Sequence, residues 1–430
     1  MVGANLSGRP YMRQTQRTAP TDSMTTILLI GTLDTKGIEI AYCLDKIKEF
    51  GATPLVLDSG ILGEPLGCDA DFTREVVAEA AGSNIGALRN AGSRGAAVER
   101  MKEGVRQVTL DLLRQDKLDA VLCLGGAEGA IMGATAMRAL PLGVPKIIVT
   151  PIASGKRHFG ILVGESDMVV MHSVVDILGL NPISVSVFDN ACAAAYGMAR
   201  YGSRFKPPQP GGKFVGVTML GQSTTGVMRM RDQLAARGYE CVIFHANGVG
   251  GPAMEEFAEL GTFVGVVDYT TNELACLQVG GFHEPPPNRL ERVGAVGLPQ
   301  VIVPGNVDLT THGVPDAVPF HLRNRPSYFH NPEMTLVRTL KAEMAAIGQM
   351  MVRKLNAATG PVVVVIPTQG LSNPNRPGAV FWDPEADAAL TAELQAGLRS
   401  DIPVVTVDAH LNDAVFADRV AEEFFKVIDN

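Results

Sequence analysis

Two glycine-rich junctions in the N-terminal half carry groups suited to a phosphate. The first is Gly31-Thr32-Leu33-Asp34-Thr35-Lys36-Gly37, which follows the apolar run Thr25 to Ile30. Hydroxyls, free backbone N–H groups and one ammonium at a helix start are what an anion needs. Asp34 suits a helix cap or a Mg²⁺ ligand. The P-loop pattern and the GxGxxG pattern are both absent, and the same residues also suit a capped helix start with an exposed lysine. The second junction is Gly125-Gly126-Ala127-Glu128-Gly129, where glycines let phosphates approach the backbone. Glu128 opposes that use unless a metal intervenes. Between them, Arg94 in Gly92-Ser93-Arg94-Gly95 is a candidate phosphate clamp or a solvated arginine.

A second set of candidates lies in the C-terminal half, at the ends of strand-like runs: His245, Asp268, Glu273 and His410, with His330 in a separate segment. These residue types serve acid–base chemistry on a small carboxylated or phosphorylated metabolite. Asp408, His410 and Asp413 form a candidate divalent-metal or acid–base set, although single histidines at strand ends are more often structural. In Phe381-Trp382-Asp383-Pro384-Glu385-Ala386-Asp387, Asp383 reads as a helix cap with Pro384 after it, which is architecture.

The elements that must position these groups repeat a simple plan. Ile27–Ile30 is a strand, the first junction a turn, Ile38 to Phe50 a helix, and Pro54 to Leu57 a second strand. Strands at Ala120 to Leu124 and Lys146 to Val149 follow. After Lys206-Pro207-Pro208-Gln209-Pro210-Gly211-Gly212, a linker that Pro and Gly keep irregular, the plan restarts. Phe214 to Met219 is a strand, Leu220 to Gly226 a turn, Val227 to Ala236 a helix, and Cys241 to Phe244 a strand. Near-continuous apolar strands alternating with helices indicate parallel sheets covered on both faces. The expected fold is therefore α/β, with two Rossmann-like doubly wound domains and mainly parallel sheets. Their bounds are 24–205 and 213–430, with an N-terminal arm at 1–23, a linker at 206–212, and residues 320–340 as a crossing segment. In open α/β sheets ligands bind beyond the carboxyl ends of the strands, where both junctions fall.

The chain has 430 residues, enough for two or three domains. Its net charge of −8 disfavours a nucleic-acid binder, and no apolar run approaches the ~18 residues of a membrane span. Charged residues make up 19%, below the usual ~25%; surface buried in a homo-oligomer, dimer or tetramer, would account for this, as would wide parallel sheets. The six cysteines are scattered, with no CxxC, and read as small buried hydrophobes. Residues 1–23 lack the apolar core of a signal peptide, so a cytoplasmic protein is expected.

Several of these motifs together resemble the Tm-one-like ATP-binding family, bacterial and fungal relatives of a tomato mosaic virus resistance protein. The resemblance covers about residues 25–428. It rests on Gly31 to Lys36, Leu140-Pro141-Leu142-Gly143-Val144-Pro145-Lys146, Ala153-Ser154-Gly155, Phe244 to Gly248, Asp268 to Leu274, Tyr328-Phe329-His330-Asn331-Pro332, Phe381 to Asp387 and Asp408 to Asp413. It implies ATP as ligand; the Mg²⁺ companion is expected from Asp34 in the first junction. Thr32, Asp34, Thr35 and Lys36 would lie at the phosphates, with Arg94 and Gly125, Gly126, Ala127, Glu128 and Gly129 closing over them. The family usually shows Gly-Gly-Ser-(Gly or Gln)-Gly-Thr where this chain has Gly125-Gly126-Ala127-Glu128-Gly129-Ala130; two hydroxyls are lost and a negative charge gained. The alternative expectation is an enzyme using His245, Asp268, Glu273, His330 and His410 in a cleft between the domains.

Overall fold

The computed structural model describes residues 24–154, 162–206 and 212–429. The chain divides into two compact units, Met1–Phe205 and Lys206–Asn430. The expected N-terminal arm, residues 207–211 of the expected linker, and Gly155 lie outside the described residues.

The first unit runs β1 (Thr26–Gly31), α1 (Leu33–Glu49), β2 (Thr53–Asp58), α2 (Arg74–Ala80), α3 (Ile85–Arg89) and α4 (Arg94–Arg114). It continues with β3 (Ala120–Leu124), α5 (Ala127–Arg138), β4 (Lys146–Thr150), β5 (Val169–His172) and α6 (Pro182–Tyr201). All five strands are parallel, in the order β2-β1-β3-β4-β5. Side chains alternate across the sheet: Leu28, Ile30, Val121 and Cys123 pack beneath α2, α4 and α5, while Ile27, Leu29, Leu122 and Leu124 pack against α1 and α6. Burial on both faces is why these strands read as unbroken apolar runs.

The second unit runs β6 (Phe214–Met219), α7 (Thr224–Ala236), β7 (Glu240–His245), α8 (Gly250–Glu259), β8 (Gly265–Asp268), α9 (Asn272–Val279), α10 (Arg292–Ala295) and β9 (Gln300–Ile302). Then come β10 (Leu309–His312), β11 (Ser327–Asn331), β12 (Met334–Arg338), α11 (Lys341–Leu355), β13 (Val362–Pro367), α12 (Pro384–Gly397), β14 (Val404–Val407) and α13 (Ala414–Asp429). Its six-stranded sheet is parallel, in the order β7-β6-β8-β9-β13-β14. Counted within each sheet from its own first strand, the first runs 2-1-3-4-5 and the second 2-1-3-4-5-6, so the two Rossmann-like α/β halves share one plan, with one strand added at the edge of the second. Residues 320–340, expected to cross between domains, supply β11 and β12 inside the second unit, where β12 pairs antiparallel with β10 on one side and β11 on the other.

Helix α1 begins at Leu33, five residues before the expected start at Ile38, so Asp34, Thr35 and Lys36 sit in its first turn and not in a preceding loop. All six cysteines are free thiols. Burial pushes Cys123 and Cys276 up to about 12. Among the described residues no helix is long and apolar enough to cross a membrane.

Helices α2 and α4 touch through Gly104, where a Cβ would lie 1.9 Å from the carbonyl oxygen of Val77. Gly104→Ala should therefore destabilise the protein by about 1–3 kcal/mol, read from urea unfolding. Gly95→Ala, on the same helix with open space around its Cβ, should be neutral or stabilise by up to ~1 kcal/mol.

Candidate functional site

The strand order of the first unit reverses between β1 and β3, and the connections leaving these two strands diverge to opposite faces of the sheet. A crevice at the carboxyl ends of such a pair is where open α/β sheets take ligands. A cavity of about 950 Å³ occupies this place. It is lined by Thr32, Asp34, Thr35 and Lys36 from the β1–α1 junction and by Gly126, Ala127, Glu128 and Gly129 from the β3–α5 junction. Gly92, Ser93 and Arg94 from the start of α4 complete its polar wall. The structure thus gathers the first set of expected site residues around one cavity, except Gly125, which is buried behind it with its N–H on Val149.

Three helix starts face this space. The first-turn N–H groups of a helix have no intrahelical acceptor. At α5 the capping position is Gly126, which supplies no side-chain acceptor, so these donors are left for a ligand. At α4 Ser93 caps the N–H of Ala96 at 3.1 Å. At α1 the N–H of Leu33 is taken by Asp58 Oδ1 at 3.0 Å.

The side chains are less free than their types suggest. Asp34 Oδ2 accepts from the N–H groups of Leu62 and Gly63, at 3.3 and 3.1 Å, and so fastens the loop after β2. Thr32 and Thr35 share a hydroxyl–hydroxyl bond of 2.7 Å. Lys36 Nζ donates to the carbonyl of Ile177. Arg94 donates from Nε to Glu128 Oε2 at 2.8 Å and pairs with the same oxygen through Nη2. The carboxylate that looked out of place in a phosphate loop is therefore held by the residue expected to clamp the phosphate.

Other residues at the cavity were not anticipated. Ser59 lines it fully buried, and its hydroxyl has no partner among the described residues. Arg89 also lines it, with Nε on the carbonyl of Ile61 at 2.7 Å. Behind them Arg74 Nε binds Asp58 Oδ2 at 2.8 Å, both residues almost wholly buried. The available signal was position: Asp58-Ser59-Gly60 ends the second strand of a βαβ unit, beside the ligand crevice. Ile61, Leu62, Leu88, Val98 and Met132 make an apolar wall.

The second set of candidates does not assemble into one site. Asp268 and Glu273 are brought together by Arg289, which is fully buried. Arg289 grips Asp268 through Nη1 and Nη2 at 2.7 and 2.8 Å, Glu273 through Nε at 2.6 Å, and Glu255 through Nη1 at 2.7 Å. Burial raises the Glu255 and Glu273 carboxyls against the pull of this guanidinium. Glu273 also accepts from the N–H groups of Gly248 and Gly251, and Thr218 donates to Asp268 at 2.7 Å. His245 is exposed at the end of the edge strand β7. His330 is exposed on β11, 3.4 Å from the Gln222 amide.

His410 is spoken for at both ring nitrogens. Nε2 donates to the Ser372 carbonyl at 2.9 Å, and Nδ1 accepts from the Asn412 N–H at 3.1 Å. These partners require the neutral ring, which burial also favours by lowering its pKa. Asp413 accepts from the His410 N–H, while Asp408 accepts from the Gln369 amide. Among the described residues no three His, Cys, Asp or Glu side chains are placed to hold a metal, so the expected Asp408, His410 and Asp413 metal set does not form.

Two buried histidines that the sequence did not single out set a pH limit. His283, 3.0 Å from Asn272 Oδ1, and His312, 2.9 Å from Thr310 Oγ1, are both pushed down to about 4 by burial. Above pH 6.5 both rings are neutral folded or unfolded. As pH falls from 6.5 towards 4, the unfolded chain takes up protons that the fold refuses, and stability is lost, by up to roughly 3 kcal/mol per ring. Asp387, raised to about 6 chiefly by burial, acts in the opposite sense between 6 and 3.8, and so do the Glu255, Glu273 and Asp308 carboxyls, which burial also raises. In urea unfolding at pH 7 and 4.5, His283→Gln should lose less stability on acidification than wild type, because it lacks the proton that the fold refuses.

The sequence comparisons agree with this division of the chain. The family model described as "Uncharacterised protein family (UPF0261) N-terminal domain" matches residues 25–204, and the corresponding C-terminal domain model matches 212–428. A UPF0261 protein of Clostridium tetani is 36% identical over 406 residues, spanning 94% of this chain and 99% of that protein. One from Mesorhizobium japonicum is 37% identical over 403 residues, 93% and 98% of the two chains. The ToMV resistance protein Tm-1(GCR237) of Solanum lycopersicum is 36% identical over 339 residues, 78% of this chain and 45% of that longer one. Among solved structures, a Methanocaldococcus jannaschii UDP-GlcNAc 2-epimerase aligns over 95% of this chain and 93% of its own. Its identity is 9% and its TM-score 0.20, too low to bear on function. With both halves matched in order and full-length bacterial relatives above 30% identity, the chain belongs to the UPF0261 family.

Proposed function

We propose that the first unit binds a phosphorylated small molecule of nucleotide size, ATP foremost, at the crevice between the ends of β1 and β3. The observation that carries this reading is the cavity of about 950 Å³ at the point where the strand order reverses. Its volume lies at the upper end of the ~300–1,000 Å³ range of small-molecule sites. One wall offers uncapped N–H donors at α5, the Thr32 and Thr35 hydroxyls and the Lys36, Arg89 and Arg94 cations. The facing apolar wall of Leu88, Val98 and Met132 suits a base. Phosphates would lie against the donors, as helix N-termini favour. The resemblance of the sequence motifs to the Tm-one-like ATP-binding family supports the choice of nucleotide; the antiviral role in the name of the tomato relative is not carried over.

Gly126 gives the test. A Cβ there meets nothing within 4 Å, so a side chain enters the cavity without striking the fold. In calorimetric titrations Gly126→Val should weaken ATP binding by about tenfold or more, while the unfolding midpoint without ligand moves only about 2–4 °C. Equal affinity in the variant would place the ligand elsewhere, and wild type that takes no nucleotide would end the reading.

The protein is read as a homo-oligomer, dimer or tetramer, on the support of its low charge content of 19%. Light scattering of the purified chain should give two or four times the 45.6 kDa of the monomer.

A further inference from the structure

Among the described residues, five charged side chains line the first-unit cavity: Lys36, Arg89 and Arg94 against Asp34 and Glu128. Asp34 is committed to the loop after β2 through two backbone N–H groups. Glu128 differs from it. It stands in the first turn of α5, where the phosphate would dock, and its recorded partner is Arg94. Both members of the pair are substantially exposed, at 73% and 38%, so the pair can open without unfolding anything.

Resting on the phosphate-binding reading, the geometry points to Glu128 as the residue that makes polyphosphate binding depend on a divalent cation. A metal-free triphosphate arriving at α5 meets a carboxylate at the position its own oxygens need, and the nearest guanidinium is already neutralised. Metal-free ATP carries about two more negative charges than its Mg²⁺ complex, and each of them is repelled. With Mg²⁺ the same groups exchange partners. Arg94 leaves Glu128 for a phosphate oxygen, and the carboxylate turns to the Mg²⁺ that the phosphates carry. Mg²⁺ asks for no more than one or two carboxylates beside phosphate oxygens and water, so a single glutamate suffices. Arg94 and Glu128 each have a partner of opposite charge before and after the exchange. This is a ligand-borne metal site, complete only when the ligand is present.

The test is calorimetric titration of AMP, ADP and ATP, each with Mg²⁺ and with EDTA, into wild type, Glu128→Gln and Arg94→Ala. Wild type should bind ATP with Mg²⁺ about tenfold or more tighter than ATP in EDTA. In Glu128→Gln the ratio should shrink to about threefold or less, through a gain in metal-free binding, because the amide neither repels phosphate nor holds Arg94. AMP should show little metal dependence in either protein. Arg94→Ala, which leaves Glu128 without its partner, should lower metal-free ATP affinity further. An unchanged metal dependence in Glu128→Gln overturns the assignment while leaving the phosphate site standing. Failure of every nucleotide to bind every protein overturns the site itself, and this assignment with it.

Discussion

A carboxylate buried at the end of the second strand organises the candidate site. Asp58 accepts from the N–H of Leu33 at the start of α1, from the N–H of Gly60 in the following turn, and from Arg74 Nε on α2. Arg74 in turn donates to the Gly63 carbonyl. One side chain therefore fixes the first helix, the loop after β2 and the second helix against each other, and the cavity is the space these elements leave. Removing one partner of such a buried pair strands the other charge at a cost of about 3–5 kcal/mol. The arrangement defines one geometry more than it adds net stability. It also spends both oxygens of the acidic residue at the end of β2, which in dinucleotide-binding folds commonly meets a ribose.

The second unit answers the same problem in another way. Its sheet has the same strand order, and an acid, Asp268, again stands at a strand end near the point where the order reverses. There Arg289 satisfies three carboxylates at once and excludes space for anything else. A Cβ on Gly251 would fall 1.9 Å from Glu273 Oε2 and 2.1 Å from Arg289 Nε. Where the first unit keeps a cavity beside its buried pair, the second fills the equivalent depth with protein charge. The two halves share a plan and differ in what occupies its centre.

Strand identity and parallel topology were legible because burial on both faces leaves a plain mark, four or five consecutive apolar residues such as Ala120 to Leu124. The junction residues of the first unit were legible for the related reason that strand ends in such sheets carry the chemistry. The start of α1 was misplaced because Gly37 reads as a turn. It is glycine because a Cβ would lie 1.9 Å from the Leu66 carbonyl oxygen, a contact across 29 residues that local pattern does not contain. Asp268 and Glu273 looked catalytic because their partner, Arg289, lies in an unremarkable stretch with no motif spacing to either. His410 looked like a ligand because nothing local announces that the Ser372 carbonyl, 38 residues away, takes its Nε2 proton. In the sheet of β10, β11 and β12, the pairing of β10 with β12 was hidden for the same cause, since Leu309 meets Arg338 across 29 residues, while β11 and β12 form a local hairpin whose exposed strand Ser327–Asn331 carries little apolar pattern.

The thiols have a practical meaning beyond the absence of disulfides. Cys123 lies in the central strand of the first sheet and Cys276 in a buried helix of the second unit, and both are held far into the protonated, unreactive form. A thiolate-seeking reagent can reach either only when its own half of the molecule opens. The rate at which each is modified under native conditions is thus a clock for the opening of that half. A ligand that stabilises the first unit would slow the Cys123 clock, and whether it also slows that of Cys276 would say whether the two halves open as one cooperative body or separately.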